Sequence, residues 1–261
     1  MMRTVTATRY VTPLREGGSL PAIVEAEDAG LYVLKFRGAG QGPKALIAEL
    51  IAGELARAAG LRVPELVFIQ LDPVLGRAEP DGEIRDLIKA SAGLNLGMDY
   101  LPGSITFDPL AGPAPGAAEA SGIVCFDAYV TNVDRTPKNP NLLVWHQTLR
   151  LIDHGAALYF HHSWEGHLER ARSAFAPIKD HVLLPWASEL RAAEAHLRER
   201  LTPEVLEQVV GLIPDGWLEE AEAGFSSKAE HRAAYVAFLK ERLASSAVFI
   251  QEAERARAQL V

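Results

Sequence analysis

A chain of 261 residues with 48% hydrophobic and 23% charged residues is long enough to bury a sizeable core, as one large domain or two lobes. Its formal net charge of −8 argues against a broad nucleic-acid-binding or anionic-membrane surface, although a local basic cleft is still allowed. The single cysteine, Cys125, excludes an internal disulfide and a cysteine zinc site and points to a reducing, cytoplasmic compartment; no signal-peptide pattern and no run near the roughly 20 apolar residues of a membrane span is seen.

The first half reads as short strands around one helix. Residues 5–11 have strand character, and the turn that follows contains Gly17, Gly18 and Ser19. Residues 22–26 form a second strand, Asp28-Ala29-Gly30 a tight turn, and residues 31–37 a strand of strong alternation. Tyr32, Leu34 and Phe36 share one face, which leaves Val33 and Lys35 on the other. With the aromatic face in the core, Val33 and Lys35 look into a cleft, an apolar wall and an ammonium suited to the base and the α/β-phosphates of ATP. A lysine considered alone is more commonly solvated. Residues 43–59 form the best helix of this half, with Leu46, Ile47, Leu50, Ile51 and Leu55 as its stripe and Gly60 as its stop. Glu49 flanks that stripe 14 residues after Lys35 and can hold the ammonium; Glu54 competes for the role. A strand is expected at 66–71, a polar excursion with a short helix near 83–89, and a strand from Gly93 to Leu101. Asp99, Tyr100 and Leu101, just before Pro102-Gly103, have the character of an interlobe connection that offers backbone groups to an adenine edge.

The second half carries the chemistry. A helical pattern with Ile123, Phe126 and Val130 on one face precedes a polar island, residues 132–139. Two strand-like runs, 141–145 and 149–152, read as a hairpin turning at Gln147-Thr148, and the second ends on Asp153-His154-Gly155. An Asp, an Asn five residues later and an Asp-x-Gly after a hairpin is the arrangement kinases use. Asp134 would be the catalytic base, Asn139 and Asp153 the Mg²⁺ ligands, and Arg135 a structural or charge-balancing neighbour of Asp134. Taken singly, these residues are also ordinary turn formers. His161-His162, placed on an extended chain, point to opposite sides and are read as surface or structural histidines. The remainder is helical: 188–201, a start at Thr202-Pro203, a segment capped by Asp215, and a capping box at Ser227–Glu230 opening one long helix through Ala253.

These motifs resemble those of the HipA-like kinases, within the protein-kinase-like superfamily. The resemblance runs from Gly17 to about Leu184 and is carried by GSLPAIVEAEDAGLYVLKF, by the Glu49 helix with GLRVPE, and by NVDRTPKN…LIDHG with IKDHVLL. The Asp-Arg order of the loop is a feature of HipA-like and lipid-kinase loops. His154 stands where many protein kinases have Phe, so an ordinary activation-loop switch is not implied. The resemblance implies an α+β, two-lobed fold with a small β-rich lobe (1–101) and a larger helical lobe (102–261). It implies an ATP- and Mg²⁺-dependent phosphotransferase whose acceptor is a Ser or Thr hydroxyl on a protein. Gly17, Gly18 and Ser19 would cover the phosphates, and autophosphorylation of Ser19 is a family trait expected here. A regulatory partner protein is allowed; direct nucleic-acid and membrane contacts are not expected. The rival readings are a small-molecule kinase of aminoglycoside or choline type, a nucleotide-binding module without turnover, and a metal-dependent phosphohydrolase using Asp134 and Asp153.

Overall fold

The computed structural model describes residues 2–14, 20–40, 42–77, 79–220 and 224–260. The Gly17-Gly18-Ser19 turn lies outside the described residues. Five strands, β1 (Thr4–Pro13), β2 (Ala22–Ala26), β3 (Leu31–Lys35), β4 (Leu66–Leu71) and β5 (Gly93–Asp99), close into a barrel in the order β1-β2-β3-β5-β4. The β1–β4 pair is parallel and the other pairs are antiparallel. Alternation decides which residues fill the barrel: Val24, Tyr32, Leu34, Phe36, Val67 and Ile69 are buried in one cluster. Gly97 is required on β5, because a Cβ there would collide with the Ile69 side chain.

Helix α1 (Pro43–Ala58) begins with proline in its first turn and ends in a Schellman motif. Leu61 N–H donates to Ala56 O, Gly60 N–H to Arg57 O, and Gly60 takes the left-handed φ of 85° that the motif needs. Its buried face, Leu46, Ile47, Leu50, Ile51 and Leu55, belongs to the same core as Ile123, Phe126 and Val130 of α3 (Ala117–Val130). Two donors from α5 (Leu190–Arg200) fasten the end of α1: Arg200 Nε donates to Ala58 O at 3.1 Å and His196 Nε2 to Ala59 O at 3.2 Å. The short helix α2 (Gly82–Ala90), capped by Asp81, sits between β4 and β5.

A second sheet comprises β6 (Ile105–Thr106), β7 (Leu142–Trp145) and β8 (Thr148–Leu151). Its hairpin turns at His146-Gln147, not Gln147-Thr148, and both turn residues have positive φ (48° and 61°), the requirement of a type I′ turn. The helical half continues with α4 (His167–Ala171), α5, α6 (Pro203–Val210), α7 (Asp215–Glu220), α8 (Lys228–Ala244) and α9 (Ser246–Arg257). The expected single helix through Ala253 is two helices. Ser246, fully buried, donates to Glu194 Oε1 at 2.6 Å and accepts from Arg198, both on α5, and this cross-link holds the break at Ser245. The capping box is also altered. Ser227 Oγ accepts from Glu230 N–H, but Glu230 returns its carboxylate to Ser226. Trp217 on α7 fastens the helical half to the barrel: buried, it lies edge-on to Phe68 and donates Nε1–H to Leu94 O at 3.1 Å. No helix among the described residues is long and apolar enough to cross a membrane.

His161 and His162 lie on a 3-10 turn (Tyr159–His162) instead of an extended strand, His161 buried and His162 exposed. His161 Nδ1 is 3.0 Å from Tyr235 Oη, and His231 stacks between Phe225 and Tyr235. Burial, with Lys44 and His162 or Arg232 adding to it, holds His161 well below the ordinary histidine range and His231 at about 4. A histidine whose folded pKa is depressed binds protons more readily when unfolded, so stability is lost as pH falls through the window between 6.5 and about 4. Melting curves at steps from pH 7.5 to 4.5 should show a falling Tm across that range. His231→Phe, which keeps the stacking, should flatten the fall; an unchanged slope would remove His231 from the cause.

Candidate active site

The barrel, α1 and the second sheet bring Lys35, Glu49 and Asp153 together. Alternation on β3 turns Lys35 away from the Tyr32–Leu34 face, and its Nζ donates to Glu49 Oε2 and to Asp153 Oδ1, each at 2.6 Å. Of the two candidate glutamates, Glu49 takes the lysine, whereas Glu54 pairs with Arg57 at 3.5 Å one turn along its own helix. Burial opposes ionisation of both partners, and the attraction overcomes it. Burial would lower the Lys35 pKa, but Glu49 and Asp153 hold it above the ordinary range. Burial would raise the Glu49 pKa, but the charge of Lys35 holds it down at about 2. The Glu49 side chain is 1% exposed and that of Asp153 is 49% exposed. Asp153 therefore presents carboxylate surface to the cleft even while it is bonded to Lys35. Val33 neighbours Met98 across the β3–β5 ladder and is half-buried on the Lys35 face. Asp99, Tyr100 and Leu101 leave the end of β5. Tyr100 N–H donates to Leu31 O at 3.0 Å, so that group is committed to holding the connection against β3.

Asp134 stands on the loop that follows α3. Its Oδ2 accepts from Asn139 Nδ2 at 2.8 Å and from Asn141 Nδ2 at 3.2 Å. These two asparagines differ in setting. Asn139 is exposed. Asn141 is 8% exposed and has a left-handed φ of 47°, a conformation asparagine tolerates better than most residues. Its carbonyl accepts from Arg135 and from Ile152 N–H, the residue just before Asp153. Asn141 thus links the Asp134 loop to the Asp153 turn. Sequence reasoning passed over it by counting five residues from Asp134. The readable signal was an asparagine placed directly before an apolar strand.

Of the two roles open to Arg135, the structure has the structural one and not charge balance of Asp134: Arg135 is buried against Asp127 of α3, with Nε 2.5 Å from Oδ2. His181 Nε2 donates to the same oxygen at 2.9 Å, its Nδ1 being occupied as acceptor of Leu183 N–H. Asn132 donates to the other carboxylate oxygen at 3.0 Å. Burial alone would raise the Asp127 pKa; Arg135 and His181 drive it far below the carboxylate range instead. Asp127 was not among the residues read from sequence, since a lone aspartate in an apolar helix carries no periodic signal. Cys125, two residues earlier, is buried, and burial pushes its thiol well up, which makes it inert. No cluster of three or more His, Cys, Asp or Glu side chains suited to a metal occurs among the described residues.

This architecture is that of the protein-kinase-like fold. The proinflammatory kinase CtkA of Helicobacter pylori superposes with a TM-score of 0.56 at 13% identity, over 92% of this chain and 95% of that one. A Golgi casein kinase with Mn/ADP bound superposes with a TM-score of 0.55 at 12% identity, over 99% of this chain and 76% of that one. A family model described as HipA-like kinase matches residues 8–247, so the chain belongs to the HipA-like kinase family and is a phosphotransferase. A search of curated proteins finds no match.

Removing the buried carboxylate leaves the Arg135 charge uncompensated, a loss that costs about 3–5 kcal/mol. Asp127→Ala should lower the urea unfolding free energy by that amount, whereas Asn139→Ala, at an exposed position, should change it by less than about 0.5 kcal/mol.

Proposed function

We propose that the chain transfers phosphate from ATP, with Mg²⁺, to a Ser or Thr hydroxyl on a protein. The observation that carries the reading is the Lys35 ammonium bridging Glu49 and Asp153 across the cleft, with Asp134 on the loop tied to Asp153 through Asn141 and Ile152. The oxygen-rich set of Asp153 with an asparagine amide fits a hard divalent ion, which when bound would neutralise charge on the phosphates. Lys35 would hold the α/β-phosphates, and Glu49 would hold Lys35. Val33 would face the base, and Leu101, with the carbonyls of Asp99 and Tyr100, would offer backbone to its edge. Gly17, Gly18 and Ser19 would cover the phosphates, and the lobes would divide at residues 101 and 102. Asp134 would accept the proton of the attacking hydroxyl. Its two amide neighbours hold the carboxylate oriented, and Asn141, fixed by its own backbone, is the better placed of the two to serve with Asp153 at the metal. The Golgi casein kinase carries Mn/ADP, which supports use of a nucleotide and a divalent ion here.

A protein acceptor is favoured by the surface beside the base. Val133, adjacent to Asp134, is 42% exposed and Tyr159 is 65% exposed. Leu158, next to Tyr159, donates its N–H to Val130 O at 2.8 Å, which keeps the two segments side by side. Apolar side chains there suit the flanks of a peptide better than a small cation. A reducing, cytoplasmic setting agrees with the single buried thiol.

Mg²⁺-ATP should raise the Tm by mass action, and Asp153→Asn should remove the metal-dependent part of the shift. Asn141→Ala should remove more of it than Asn139→Ala; the reverse order would restore Asn139 as the ligand. Asp134→Asn should fold and bind ATP yet lose about 10²–10⁴-fold in phosphotransfer to a mixed protein acceptor pool. Retention of activity within about threefold of wild type would overturn the role of Asp134 and the reading with it.

A further inference from the structure

Three polar atoms in the middle of the site make no hydrogen bond: Glu49 Oε1, His154 Nδ1 and His154 Nε2. All three are buried, and the His154 side chain has no exposed surface. Its ring meets Phe126 of α3 edge-on, with centroids 6.3 Å apart, the contact an apolar ring would make equally well. An imidazole kept here leaves polar groups desolvated and unpaired, which phenylalanine would avoid. The neighbour of the imidazole gives the reason. His154 Nδ1 lies 3.7 Å from Glu49 Oε1, the one glutamate oxygen that Lys35 does not use, beyond the roughly 2.9 Å of a good N–H···O bond. The turn also lies directly against α1. A Cβ built on Gly155 would stand 3.8 Å from both Ala45 O and Glu49 Oε2, at ordinary van der Waals distance from the helix.

We propose that His154 is a positioning residue for phosphotransfer. In the working state its Nδ1–H closes onto Glu49 Oε1, and that bond fixes the carboxylate whose other oxygen holds Lys35. The Asp-His-Gly turn then orients both partners of the lysine, Asp153 directly and Glu49 through the imidazole. This inference rests on the phosphotransferase reading above.

The test compares the wild-type chain with His154→Phe and His154→Asn, using ADP release from Mg²⁺-ATP in the presence of a mixed protein acceptor pool, together with melting curves. Phenylalanine keeps the packing on Phe126 and discards the unpaired nitrogens; asparagine keeps a donor near the Nδ1 position and loses the ring. The expected Tm order is Phe, then His, then Asn. The expected kcat order is His, then Asn, then Phe, with the Phe variant down about 10- to 100-fold and its KM for ATP within about threefold. Stability and activity therefore run in opposite directions, whereas a packing role would make kcat follow Tm. In a Glu49→Gln background, His154→Phe should cost no further kcat. A wild type that turns over ATP beside a Phe variant within about twofold of its kcat, or full additivity with Glu49→Gln, overturns the role of His154 alone. A wild type that neither binds nor turns over ATP overturns the phosphotransferase reading, and this inference with it.

Discussion

A carboxylate buried in an apolar helix is the constraint on which the rest of the site depends. Asp127 has no water to solvate its charge, so it is tolerable only with Arg135, His181 and Asn132 all in place. Those three come from the loop after α3 and from the 3-10 turn Ala176–Asp180 that precedes His181. Satisfying one charge therefore draws the loop that follows α3 and the distant segment at His181 onto one helix. Arg135, once fixed, donates to the carbonyls of Asn141 and Ile152. The loop that carries Asp134 and the strand end that carries Asp153 are thereby set by one guanidinium. The rare Asp-Arg order follows the same logic: the arginine faces inward to the helix, and the aspartate before it faces the cleft.

The second half of the site is set by α1. In kinases the corresponding helix positions the glutamate that holds the lysine. Here the end of α1 is fastened by Arg200 and His196, and its apolar face is shared with α3. Glu49 is therefore anchored to the helical half, while Lys35 belongs to the barrel. The 2.6 Å contact between them reports how the two parts meet, and Trp217 against Phe68 and Leu94 reinforces that meeting.

Backbone geometry around the site has a cost that packing must offset. Thr131, Asn141, Asp153 and Leu158 all have φ between 47° and 55°, in the left-handed region that non-glycine residues avoid. Thr131 and Asp153 stand just past the end of a regular element, and Asn141 and Leu158 just before the start of one. Strain of this kind persists only where the surroundings over-determine it, and it gathers at functional sites. The buried network of Asp127 supplies that surrounding on one side, and the Val130–Leu158 hydrogen bond supplies it on another.

Local pattern by itself determined the elements and the order of the chemical groups. Period-two alternation placed Tyr32 and Leu34 inward and Lys35 outward, the stripe from Leu46 to Leu55 marked α1, and the spacing from Asp134 to Asp-His-Gly marked the loop and its strand. These depend on neighbours in the chain, so the chain records them. Three features were decided only in three dimensions. Arg135 turned from Asp134 to Asp127 because the buried carboxylate has the greater need of a partner. Asn141 is locked between the Asp134 loop and the Asp153 turn, because the Arg135 side chain and the Ile152 N–H both donate to its carbonyl. The long C-terminal helix broke at Ser245, because Ser246 is bonded to Glu194 and Arg198 of a helix some 50 residues earlier, as the separations of 52 and 48 show. In each case the deciding energy is the desolvation of a polar group, and its partner lies outside the regular element whose periodicity the local pattern reads.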